Sequence, residues 1–160
     1  YPARTASLVL CDTRAESDAP QARANREEFI SAVEEKGAGE AAGRMIPNYF
    51  SAAAYTAKPE LTNKAEAMIE KQSARVINAA MRAIMTRNDS TPLLASIHCP
   101  VLVMVGAEDK LTTKETAADI STRIAGSRLL VLEGAGHISN LEQTEAFNKA
   151  LLEHVENLDR

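Results

Sequence analysis

Two short stretches of the chain carry residue types that can move a proton. In Pro100-Val-Leu-Val-Met-Val-Gly-Ala-Glu-Asp109, an apolar run ends in a glycine turn and a carboxylate. In the second, Leu129-Leu-Val-Leu132 is followed by Glu133-Gly-Ala-Gly-His137, so an imidazole stands on a glycine-flanked turn. A carboxylate bonded to an imidazole fixes its tautomer and stabilises the imidazolium that forms when the ring takes up a proton. The chemistry that such a pair serves is acyl transfer, in which the histidine draws a proton from a hydroxyl nucleophile. The other two histidines lack this setting. His98 precedes a strand rather than following one, and His154 falls within the closing helix, where a partly exposed, structural place is expected.

Asp109 and His137 meet only if other elements bring their loops together. Residues 101–105 form a continuous, valine-rich apolar run between Pro100 and Gly106. Such a run suits a strand buried on both faces, hence a parallel sheet covered by helices. Residues 128–132 and 6–11 read the same way. Open parallel sheets place their sites past the carboxyl ends of the strands, which is where Asp109 and His137 fall. Between the first strand and the second, the pattern is helical throughout. Ser17-Asp-Ala-Pro20 offers caps for a helix over 21–36, with Phe29, Ile30 and Val33 on one face and Gly37 as the stop. Further helices are expected over 39–46, 65–71 and 74–87. Thr112-Thr113 caps a helix over 114–125, and an amphipathic helix over 142–158 closes the chain. The fold class is therefore α/β: a parallel sheet flanked by helices, with an all-helical insert. The chain divides into a first core strand (1–16), the insert (17–91) and the rest of the core, bearing Asp109 and His137 (92–160).

The residues Ile97-His-Cys-Pro-Val-Leu-Val-Met-Val-Gly-Ala-Glu-Asp109, with Gly134-Ala-Gly-His137 and Asn140-Leu-Glu142, resemble the carboxyl-terminal half of an α/β-hydrolase, of the 3-oxoadipate enol-lactonase-like esterases in particular. The resemblance implies a partial α/β-hydrolase fold in which Asp109 is the acid and His137 the base of a Ser-Asp-His triad. Some branches of the family place the acid after the earlier strand, which makes Asp12 the runner-up; its plainer reading is a helix-capping or turn aspartate. The resemblance also implies that the helical insert is a cap over the catalytic serine. Met45, Tyr49, Phe50, Met81 and Met85, with Met68 and Tyr55, would then line an apolar acyl pocket. The alternative is that they form the core of the cap, methionine being a filler of irregular gaps.

The nucleophile is missing from this pattern. The chain holds no Gly-x-Ser-x-Gly and no His-Gly-Gly segment. Ser139 is nearest to His137 in sequence, yet it shares the same loop and lacks the sharp strand-to-helix turn that presents a nucleophile. Tyr1-Pro-Ala-Arg4 resembles the end of the helix that follows the nucleophile in the family. The expectation is that the serine lies outside this chain, on an amino-terminal half of the same domain that is its implied partner. The implied substrate is a small carboxylic ester or lactone, with neither cofactor nor metal. The alternative is a non-catalytic half-domain or binding module that needs a complementing amino-terminal segment. Composition narrows the field further. Hydrophobic residues make up 45% and charged residues 25% of the 160, as in ordinary soluble domains. A net charge of −4 offers no basic footprint for nucleic acid. No apolar run is long enough to cross a membrane. Cys11 and Cys99 have no metal-binding spacing and fit a reduced, cytoplasmic setting.

Overall fold

The computed structural model describes residues 1–159. Its three strands, β1 (Leu8–Cys11), β2 (Val101–Gly106) and β3 (Arg128–Leu132), form one parallel sheet in the order β1-β2-β3. The register sets Leu8 beside Val101 and Gly106 beside Leu132, so β2 and β3 finish side by side. All of β2 is buried, as a continuous apolar run between two layers of helix requires. Its alternate side chains feed two cores, which is the period of two along a strand. Val101, Val103 and Val105 pack with Ala117, Ile120 and Ile124 around α6 (Lys114–Arg123). On the opposite face Leu102 and Met104 pack with Phe147 and Ala150 of α8 (Thr144–Glu156).

The segment between β1 and β2 is helical, as its patterning predicts. It holds α1 (Pro20–Lys36), α2 (Ala38–Met45), α3 (Ala54–Ala57), α4 (Pro59–Glu70) and α5 (Ala74–Met85). Val33, Ala41 and Ile77 make one core there, and Phe50, Ala54 and Ala65 another.

Several expectations are corrected. The first strand begins at Leu8 rather than at residue 6. The fourth helix begins at Pro59, well before residue 65, because proline at the first helical position is pre-organised for helix and Glu60 suits its positive end. Neither Ser17 nor Asp18 caps α1, whose N-cap is Ala19 without a side-chain bond. Asp18 instead receives Arg14 and Arg26, the latter at 2.5 Å. The closing helix expected over 142–158 is α8, which begins at Thr144; Glu142 instead ends a separate short helix, α7 (Ser139–Glu142), and Gln143 between the two leaves helical geometry (φ −123°, ψ 51°). His154 is buried, not partly exposed: it lies one turn beyond Ala150 on the face of α8 that meets the sheet. No helix among the described residues is long and apolar enough to cross a membrane.

Candidate active site

Asp109 is held by the turn that ends β2. The amide of Ala107 donates to the Leu132 carbonyl (3.0 Å), that of Glu108 to Ala135 (2.9 Å) and that of Asp109 to Gly106 (3.1 Å). The turn after β2 is thereby tied to the loop after β3. Gly106 has no room for a side chain there, since a Cβ would lie 2.1 Å from the carbonyl oxygen of Gly136. The Asp109 carboxylate is buried. Its Oδ1 accepts the amides of Leu111 (2.8 Å) and Thr112 (2.9 Å), and its Oδ2 accepts the Thr112 hydroxyl (2.6 Å). Oδ2 also faces Nδ1 of His137 at 2.8 Å. Burial acts to raise the carboxyl's pKa, but the hydrogen bonds from His137 and Thr112 outweigh it and hold Asp109 below the usual carboxylate range. An ionised carboxylate only accepts, so Nδ1 of His137 carries a proton, and in the neutral ring the lone pair is on Nε2.

His137 is fixed through its neighbours. The amide of Gly136 donates to Oε2 of Glu142 (2.6 Å), and the amide of Ile138 to the carbonyl of Tyr49 (3.1 Å). A Cβ on Gly136 would come within 2.6 Å of the Phe50 backbone, so glycine is what lets the two segments touch. The imidazole side chain remains 25% exposed while that of Asp109 is fully covered. The ring of Tyr49 stands 5.6 Å from it, centroid to centroid, at 44°.

Asp12 faces different partners. It occupies a left-handed backbone position (φ 44°); its Oδ1 accepts the Gly106 amide (3.1 Å) and its Oδ2 the Ser139 hydroxyl (2.6 Å). Burial pushes its carboxyl up, against the opposing pull of those two bonds. Of the two acids singled out in the sequence, the structure brings Asp109 to the imidazole, and Asp12 braces the turn after β2 against the start of α7. Ser139 is fully buried, with its hydroxyl committed to Asp12. Burial, and then the charge of Asp12, push the Cys11 thiol up to about 11, so it is not a thiolate nucleophile at neutral pH.

No protein-family model matches the chain. Over 154 residues, 94% of this chain and 55% of that protein, it is 33% identical to 3-oxoadipate enol-lactonase 2 of Acinetobacter baylyi. A thermophilic esterase from Thermogutta terrifontis superposes with a TM-score of 0.92 at 34% identity, across 96% of this chain and 56% of that one. The enol-lactonase from Burkholderia xenovorans gives 0.86 at 25% identity, across 96% and 57%. The chain carries the carboxyl-terminal half of an α/β-hydrolase fold. It spans about half the length of the curated enol-lactonase that it matches.

Within this hydrolase half-fold, the residues expected to line an acyl pocket separate. Tyr49 lies against His137. Phe50 is 1% exposed and meets Tyr55 edge to face at 6.1 Å, inside the cluster with Ala54 and Ala65. Met45 packs against the Val33–Ala41–Ile77 cluster. The sulfur of Met81 accepts from Arg26 at 3.6 Å. Met85 borders a cavity of about 440 Å³ with Arg23, Glu27 and Arg87. Met68 is largely exposed.

The hydrolase fold also gives places to residues that sequence reasoning passed over. Thr112, read only as a helix cap, binds Asp109; Thr113 alone caps α6, accepting from the Thr116 amide (3.5 Å). Aspartate with a threonine three positions on is the local signal for such a turn, in which the carboxylate accepts the amides two and three residues ahead. Ser51, Glu108 and Glu142 gave no local signal, because Ser51 bonds Glu142 across 91 positions and Glu108 bonds Ala52 across 56.

Proposed function

We propose that this chain supplies the base and the acid of a serine-type hydrolase acting on a small carboxylic ester or lactone. Nε2 of His137 takes the proton of a serine hydroxyl as that oxygen attacks the carbonyl carbon. It returns the proton to the departing oxygen when the ester bond breaks. It then takes a proton from the water that attacks the acyl-enzyme and gives it back to the serine. Asp109 stays ionised throughout, orients the ring and stabilises the imidazolium. The serine and the oxyanion donors come from a segment outside these residues.

One observation carries this reading: the 2.8 Å contact of Nδ1 with Oδ2, made by a covered carboxylate to a ring still partly open to solvent. The rival reading, a non-catalytic half-domain, gives no reason for a buried carboxylate kept below its usual range beside such an imidazole. The substrate class is supported by relatives described as an enol-lactonase, a methyl ester esterase and an esterase.

The test uses the protein that joins this chain to a nucleophile-bearing segment, with the chain alone beside it. The joined protein turns over a nitrophenyl ester and is labelled by a serine-directed phosphonate; the chain alone does neither. His137→Ala lowers kcat by roughly 10⁴- to 10⁶-fold, since triad members act as a unit. Asp109→Asn lowers it by about 10⁴-fold through the wrong tautomer. Activity that survives His137→Ala, or labelling of the chain alone, overturns the reading.

A further inference from the structure

We propose that Glu142 is a positioning residue for His137, acting through the backbone of Gly136 and through the segment 49–52 of the helical insert; this rests on the acid–base reading above. Glu142 ends the one-turn helix α7 and is 5% exposed. Its Oε2 accepts the Gly136 amide at 2.6 Å, its Oε1 accepts the Ser51 hydroxyl at 2.6 Å, and both oxygens lie within 3.2 Å of the Ser51 amide. Its own carbonyl accepts from Nζ of Lys58 (3.1 Å). A carboxylate taken out of water is costly, and packing alone has no use for one. Three donors converging on two oxygens do require a group that only accepts.

The placement of those donors gives the inference its direction. Gly136 immediately precedes His137, and Ile138, immediately after it, donates to the carbonyl of Tyr49. The base is therefore held on both flanks by bonds that reach residues 49–51 directly or through Glu142. The same strap reaches the acid, since the amide of Ala52 donates to Oε2 of Glu108, the residue before Asp109 (3.0 Å). Among the described residues, Glu142 is the one side chain hydrogen-bonded to both this segment, 49–52, and the loop that carries the base. A displacement of the strap is consequently transmitted to the imidazole, and a shift of about 1 Å in a reacting group costs on the order of 10²-fold in rate.

The test is made in the joined, active protein. Glu142→Gln keeps the size of the side chain but turns one acceptor into an NH₂ that must face a donor on Gly136 or Ser51. It is expected to lower kcat by about tenfold, to leave KM within about threefold and to move the acid limb of the kcat/KM pH profile. Ser51→Ala leaves the Gly136 bond intact and is expected to cost less than about fivefold in kcat, with the profile moving in the same direction. Ser51→Ala also decides the matter if Glu142→Gln cannot be isolated folded, a profile unchanged from the parent's then counting against the proposal. His137→Ala, run in parallel, separates the two ideas. If it stays active, the acid–base reading falls. If it is inactive while Glu142→Gln keeps the parent kcat and pH profile, or loses thermal stability and rate with an unmoved profile, Glu142 is structural only and this inference is overturned.

Discussion

Two carboxylates, the buried Asp109 and the half-buried Asp12, lie past the ends of neighbouring strands, and their donors set them apart. Asp109 receives a hydroxyl, two amides and an imidazole, whereas Asp12 receives one amide and one hydroxyl. The first set overcomes burial and lowers the pKa; the second does not, and the pKa of Asp12 stays raised. Thr112 supplies the shortest of the bonds to Asp109, so Thr112→Val should cost about 1.5–3 kcal/mol of stability at neutral pH, the range for hydrogen bonds to charged groups. The folded pKa of Asp109 lies below its unfolded value. Its stabilisation is therefore present above the unfolded pKa and is lost as pH falls through the folded one. Urea denaturation of parent and variant should show a gap that is widest near neutrality and shrinks in acid. A gap that does not change with pH would mean that Thr112 acts by packing alone.

At the scale of elements, the site depends on how closely two turns approach. The turn after β2 and the loop after β3 touch at Gly106 and Gly136, and the helical insert touches the same loop at Phe50. Gly106→Ala puts a Cβ 2.1 Å from a backbone oxygen, which no rotamer change relieves. It should cost about 3 kcal/mol or more, as severe overpacking does. Gly126→Ala is the control. Its backbone is left-handed (φ 76°) but the space around it is open, so only conformational strain of roughly 1–2 kcal/mol is expected. Thermal unfolding of the two variants should rank them in that order. The break between α7 and α8 belongs to the same scale. Glu142 turns inward to Gly136 and Ser51, and the next residue, Gln143, leaves helical geometry, so α7 stops before α8 begins.

At the scale of the whole molecule, the sheet is covered unevenly. Every residue of β2 is buried, while every residue of β1 stays partly exposed. On the α6 side of the sheet, beside β1, lies a cleft of about 860 Å³ lined by Leu8, Leu10, Leu94, Ile97 and Ile120, with Leu93 at its rim 62% exposed. An open apolar cleft of that kind is a surface for association. The chain alone should bind a hydrophobic dye there, and the protein that includes the nucleophile-bearing segment should bind much less. Equal dye fluorescence from the two would argue against the cleft as the seam of the proposed complementation.

The sequence alone carried the parallel α/β architecture, the helical insert and the choice of Asp109 as the carboxylate that meets His137. Each of these rests on a local signal. Continuous apolar runs mark buried strands, helical spacing marks the insert, and Asp109 and His137 each follow a strand through a glycine turn. Tertiary structure alone decided what the remaining polar residues do. Asp12 and Ser139 bond across 127 positions, and Ser51 and Glu142 across 91, so no spacing within the sequence announces either pair. It also decided that Phe50 is core while Tyr49 meets the imidazole, since two adjacent aromatic residues in an irregular segment have no period to assign their faces. Strands and helices follow from repeating local preference, whereas a hydrogen bond between distant loops exists only once the sheet has brought those loops to the same end.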